Sequence, residues 1–163
     1  MKLGIFSDSH DNLLNVKNAV IQAEKKGVEK IIHCGDLVSP FVLDEFEKFP
    51  GEFHFIIGNN PGDIQLIMEK CSEQKGNFFF HGQFGKLKIG DKNIAFVHEP
   101  YFAYPIVKSG DFDMLFYGHT HLWDYQVINN KILLNPGELL GKKGPPSWAF
   151  VDTENLKIDR MVF

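Results

Sequence analysis

Residues 1–12 read MKLGIFSDSHDN and residues 31–36 read IIHCGD. Both hold a short apolar run that breaks off at small residues and an acid. Residues 3–6 predict a buried strand ending on Ser7 and Asp8. Ile31 and Ile32 predict a second, ending on Gly35 and Asp36. Runs this short and this apolar fit strands covered on both faces. Between them Leu13, Val16, Val20, Ile21 and Ala23 recur near helical spacing after Asn12, and Gly27 follows as a stop.

The alternation continues outward. Ser39 and Pro40 read as an N-cap with proline in the first helical position, ahead of a helix carrying Val42, Leu43 and Phe46 on one face. Residues 53–57 predict a third strand, ending on Gly58 and Asn59, and residues 64–71 a short helix. From residue 78 the pattern turns strand-rich, with strands expected at 78–80, 86–89, 94–97, 114–117, 125–128, 132–134, 148–151 and 156–163. Gly90-Asp91 and Asn129-Asn130 read as turns. A βαβαβ start followed by a strand-rich end predicts an α/β fold, two packed sheets with helices outside. No repeat, low-complexity tract or linker interrupts it, so residues 1–163 are expected to form a single domain.

Composition narrows the classes of function. Apolar residues make up 44% of the chain, and no apolar run approaches the roughly 18–20 residues of a membrane span. The N-terminal apolar run is shorter than the about 7–15 residues of a secretory core and has no cleavage site. A cytoplasmic location and no membrane partner are therefore expected. Cys34 and Cys71 show no metal-ligand spacing and are expected to be reduced, Cys34 within the core. The formal net charge of −4 comes without any basic run, which disfavours duplex nucleic acid as a partner.

Metal-capable side chains stand at five of the predicted strand ends: Asp8-Ser9-His10, Gly35-Asp36, Gly58-Asn59, Val97-His98 and Gly118-His119-Thr120-His121. In α/β sheets, ligands gather outside the carboxyl ends of the strands, where the loops converge. Glycine-containing turns let the backbone come close to an ion. A mixture of carboxylates and imidazoles suits Mn, Zn, Fe or Ni better than Ca or Mg. One such histidine would more often be a packed core residue. Five pieces in one chain, each closing an apolar run, outweigh that reading.

The order D-x-H, G-D, G-N, strand-terminal His and G-H-x-H resembles the calcineurin-like metallophosphoesterase superfamily. The IIHCGD segment and the LNPGE segment at residues 134–138 resemble its small bacterial and archaeal phosphodiesterase branch. The resemblance runs from Lys2 to about residue 151 and implies a four-layer αββα sandwich. It implies two divalent transition-metal ions, with Asp8, His10 and His121 on one, Asn59, His98 and His119 on the other, and Asp36 bridging. It further implies hydrolysis of a small phosphate ester, most readily a phosphodiester, by in-line attack of a metal-bridging hydroxide. Asp36, Asn59 and His98 would be central to holding nucleophile and phosphate.

The chain departs from that pattern at three places. Many relatives carry a histidine after Gly-Asn as the acid for the leaving group. Here Gly58-Asn59 is followed by Asn60, which cannot protonate anything at ordinary pH. His98 is followed by Glu99 and Pro100 where relatives show His-Gly, and Glu99 either faces solvent or narrows the site. Glu138 replaces the serine of the family's NPGS turn. Asn60, Glu99 and Glu138 are therefore candidates for the substrate pocket. Asn12 is expected to cap the first helix and His33 to pack as core or support. His54 is expected to face outward or pack, and His81 shows no ligand spacing. Tyr101, Phe102 and Tyr104 could line a pocket or form a homodimer contact. The competing reading is a non-catalytic binding scaffold, like the retromer small subunit that shares this fold. The seven filled ligand positions argue against it.

Overall fold

The structure is a computed structural model that describes residues 1–73 and 76–163. Eleven strands among the described residues form two sheets. The first has the order β11-β10-β1-β2-β3-β4, made of Lys157–Val162, Ser147–Asp152, Lys2–Phe6, Lys30–His33, Glu52–Phe55 and Phe78–Phe80. β1 to β4 run parallel, and β10 is antiparallel to β1. The second has the order β5-β6-β7-β9-β8, made of Phe84–Ile89, Lys92–Val97, Met114–Phe116, Lys131–Pro136 and Trp123–Ile128.

Strand alternation divides the core among the layers. Leu3 and Ile5 turn toward the second sheet, where they meet Phe96, Phe116 and Leu134, while Phe6 turns the other way. On that outer side Phe6 packs against Val16, Val20 and Phe46 under helix α1, Leu13–Lys25, and the Pro40–Phe46 segment. Helix α2, Ile64–Glu73, lies on the same side and buries Ile67. Behind the second sheet, Ala95, Leu115 and Leu133 pack on Ala103 and Val107 of helix α3, Pro100–Ser109. The result is helix, sheet, sheet, helix.

Local signals behave largely as the sequence implies. Asn12 caps α1, its side chain accepting from the Asn15 N–H at 3.2 Å. Asn129 and Asn130, both at positive φ (51° and 62°), make the two-residue turn between β8 and β9. Three expectations change. The segment after Ser39 is a 3-10 helix, although Ser39 caps it and Pro40 starts it. β3 stops at Phe55, two residues short. The aromatic stretch after His98 is α3, whose helical spacing of Ala103 and Val107 is masked by three aromatics and by Pro105 inside the helix. No helix among the described residues is long and apolar enough to cross a membrane.

Candidate metal centre

The carboxyl ends of β1, β2, β3, β6 and β7 open onto one edge of the sandwich, and the loops leaving them are laced together. Asp8 N–H donates to the Gly35 carbonyl at 3.1 Å, His10 N–H to that of Asp36 at 3.1 Å, and Gly118 N–H to that of His98 at 2.9 Å. Asp8, His10, Asp36, His119 and His121 all have φ between 39° and 66°, a left-handed conformation that non-glycine residues adopt at a cost. Five strained residues at one edge mark a place where side-chain direction outweighs backbone comfort. Close packing requires glycine beside them. A Cβ at Gly118 would lie 2.0 Å from Ser7 Oγ, and one at Gly58 2.2 Å from Asp36 Oδ1.

The seven residues singled out in the sequence meet at this edge. Asp36 Oδ2 lies 3.4 Å from His10 Nε2 and 3.4 Å from His98 Nε2. On one side, Asp8 Oδ1 stands 3.3 Å from His121 Nε2 and 3.9 Å from His10 Nε2. On the other, Asn59 Oδ1 stands 3.0 Å from His98 Nε2 and 2.8 Å from His119 Nδ1. Asp8, His10 and His121 form one group compact enough to ligate an ion, and Asp8, Asp36 and His98 another.

Two of the atoms involved, Asp8 Oδ1 and His10 Nε2, are buried and have no hydrogen-bond partner. Buried polar atoms are normally satisfied, so a pair of orphans facing each other fits a divalent cation between them. The protonation pattern fits it as well. Burial pushes the Asp8 carboxyl up despite the Ser7 hydrogen bond. Burial also acts on Asp36, but contact with His98 and the Asn60 donors outweighs it and holds that carboxyl below the usual range. His98 is raised, its burial outweighed by Asp36 and the charge of Asp8. Without an ion, protons supply the positive charge that these carboxylates attract; a cation would replace them.

A second set of residues aims the first. The Asp8 Oδ2 atom accepts from Ser7 Oγ at 2.6 Å and from the His119 N–H at 3.0 Å, leaving Oδ1 to the site. His98 Nδ1 donates to the Cys34 carbonyl at 2.8 Å, which frees Nε2. His121 Nδ1 donates to Glu138 Oε2 at 2.6 Å with the same effect. The Gly118–His121 turn is held by Asn135, whose amide donates to the Gly118 carbonyl at 2.7 Å and to Thr120 Oγ1 at 3.0 Å. His33 packs beneath, 3.2 Å from Ser9 Oγ, with burial pushing its pKa down to about 3.

The three pocket candidates separate. Glu138 is 1% exposed and lies behind His121, with its other oxygen accepting from the N–H groups of Lys143 and Gly144. It does not wall a pocket, because the tight turn at residues 135–138 folds it inward. Asn60 is also committed, its amide donating to Asp36 Oδ2 at 2.7 Å and its backbone N–H to Oδ1 at 2.8 Å. Glu99 alone lines a recess, of about 140 Å³, beside His98 and Asn59. His54, expected outward or packed, is buried and lies 3.0 Å from His81 Nε2 and 2.9 Å from Glu52 Oε2. Sequence reading missed Asn135 and Ser7 as supports. Adjacency of Ser7 to Asp8 was the available signal for the second; the LNPGE segment contained the first but gave no sign of its partners.

Comparison with known proteins gives the family and the fold. The model of the calcineurin-like phosphoesterase superfamily domain matches residues 1–156. Phosphodiesterase MJ0936 of Methanocaldococcus jannaschii is 33% identical over 165 residues, covering 99% of each chain. A solved archaeal phosphodiesterase superposes over 100% of both chains with a TM-score of 0.94 at 32% identity. Zinc-complexed Vps29 of Entamoeba histolytica shares the fold, with a TM-score of 0.69 at 16% identity over 99% of both chains.

Proposed function

The chain belongs to the calcineurin-like phosphoesterase superfamily, and on that premise we propose that it hydrolyses small phosphodiesters at a centre for two divalent transition-metal ions. The observation that carries this reading is the position of Asp36 Oδ2, 3.4 Å from His10 Nε2 and 3.4 Å from His98 Nε2, between two sets of donors. Asp8, His10 and His121 would hold one ion, Asn59, His98 and His119 the other, and Asp36 both. Mn, Zn, Fe and Ni all suit such donors. When bound, two such ions lower the pKa of coordinated water and neutralise phosphate oxygens, which favours in-line attack on phosphorus.

The protein's own part is to fix the donors before substrate arrives. The Cys34 carbonyl and Glu138 accept hydrogen bonds from Nδ1–H of His98 and His121, so that both Nε2 lone pairs face inward. Ser7 and Asn60 hold the two carboxylates. No histidine stands at position 60 to protonate the departing alcohol. Esters with good leaving groups are therefore favoured, and rates should fall steeply as leaving-group pKa rises; a flat dependence contradicts this. The reading covers residues 1–163 as one domain acting in the cytoplasm.

The test is turnover of a chromogenic phosphodiester by stripped protein reloaded with Mn²⁺ or Ni²⁺. Turnover that appears with metal and vanishes with chelator is expected. Two bound ions with no turnover under any metal would favour the scaffold reading, whose fold the Vps29 structure shares.

A further inference from the structure

The recess beside His98 has a composition of its own. Asn59 and His98 line its side toward the candidate metal centre, Ile57, Val97 and Phe102 give it apolar walls, and Gln83 and Glu99 supply the other polar groups. Glu99 is half-buried, and its carboxylate makes no hydrogen bond or ion pair among the described residues, although it stands at the N-cap of α3. No Lys or Arg among the described residues lines the recess. At about 140 Å³ it is well below the roughly 300 Å³ at which drug-sized pockets begin. A nucleoside is too large for it; an arm of a few heavy atoms is not. Phe102 is 56% exposed, which leaves its ring available to a ligand.

An unpaired carboxylate beside an aromatic ring in a small apolar recess is a receptor for a cation. Such a carboxylate repels anionic or phosphorylated arms, and an ammonium group gains from both the carboxylate and the ring face. We propose that Glu99 makes this recess a subsite for one ester arm of the substrate, an arm carrying a cationic amine. The substrate class is a phosphodiester of an amino alcohol. The inference rests on the phosphodiesterase reading and specifies which diester it serves.

The experiment compares p-nitrophenyl phosphorylcholine with its neutral isostere, 3,3-dimethylbutyl p-nitrophenyl phosphate, on Mn²⁺-loaded protein. In both, a water oxygen bonds to phosphorus, the bond from phosphorus to the aryl oxygen breaks, and nitrophenolate leaves. The second product is the alkyl phosphate, and the water protons pass to solvent. From exposed ion-pair and cation–π strengths, kcat/KM should favour the choline ester about tenfold. In Glu99→Gln that ratio should fall close to one, and in Glu99→Asp it should lie between. The ratio cancels any common effect of the substitution on metal or fold.

A wild-type ratio near one, or a ratio that Glu99→Gln leaves intact, overturns the proposal. An equal loss on both esters also overturns it, since Glu99 would then serve the centre rather than the arm. Calorimetric binding of phosphorylcholine against 3,3-dimethylbutyl phosphate gives the same comparison without turnover. If neither ester is hydrolysed, the hydrolase reading fails by itself. The binding preference, present or absent in wild type and lost or kept in Glu99→Gln, still decides the role of Glu99.

Discussion

Replacing Glu138 by Gln separates metal binding from folding. Glu138 touches no position where substrate would sit, yet its Oε2 accepts the His121 Nδ1 proton at 2.6 Å in a site 1% exposed. In Glu138→Gln, the new side chain in the same rotamer keeps one oxygen for the Lys143 and Gly144 N–H groups and turns an NH₂ toward His121. Two donors then face each other. The imidazole resolves the clash by moving its proton to Nε2, the nitrogen 3.3 Å from Asp8 Oδ1. That tautomer cannot ligate an ion. Loss of such a supporting carboxylate typically lowers metal affinity about 10–100-fold, equivalent to about 1.4–2.8 kcal/mol.

The stability of the ion-free protein should change far less. The shifted proton gains Asp8 Oδ1 as an acceptor, so the net change is on the order of 1 kcal/mol or smaller. Glu138→Ala provides the contrast, because it removes a buried side chain together with the acceptor of the Lys143 and Gly144 N–H groups, and it should destabilise the ion-free protein by about 1–3 kcal/mol. Mn²⁺ titration by calorimetry, paired with urea unfolding in chelator, reads both quantities. Mn²⁺ affinity in Glu138→Gln within twofold of wild type would refute the reasoning.

Three further outcomes follow from the geometry. Gly118→Ala places a Cβ 2.0 Å from Ser7 Oγ and 2.7 Å from Asp8 Oδ2; it should cost about 1–3 kcal/mol in urea unfolding and weaken metal binding, and unchanged values would mean that the loop has room to yield. Asn60→Ala removes the 2.7 Å donor from Asp36, a charge-assisted bond of about 1.5 kcal/mol or more, so kcat should fall about tenfold; an unaltered kcat would show that Asp36 needs no such support. His54 has its pKa pushed down to about 4 by burial, against the opposing pull of Glu52. A depressed histidine pKa means that stability is full above the unfolded value near 6.5 and declines as pH falls toward 4. The decline is about 2 kcal/mol at most between pH 7 and pH 5. In His54→Gln that share of the pH dependence should vanish from urea midpoints, and an identical slope would show that His54 titrates normally.

The proposed ligands were legible in the sequence for a physical reason. Each closes a buried strand, and a strand announces its end by its own composition, so Asp8, Asp36, Asn59, His98 and His119 could be placed without knowing what faced them. Groups that act across the fold left no such trace. Glu138 meets His121 only because β8 and β9 return the chain antiparallel, and Asn135 reaches the Gly118 carbonyl because β9 lies beside β7. His54 and His81 pair because β3 and β4 run side by side in parallel. Helix α3 was hidden by its own content, two prolines and three aromatics in ten residues. Asn60 looked like a vacant acid position; its two N–H donors, directed at Asp36, give it a different task.

The most direct test of the proposed two-ion centre is anomalous diffraction from crystals grown with Mn²⁺. Two peaks about 3.5–4 Å apart are expected, with Asp36 Oδ2 between them, one within bonding distance of Asp8, His10 and His121 and the other of Asn59, His98 and His119. A single peak at saturating Mn²⁺, or two peaks without Asp36 between them, would contradict the account.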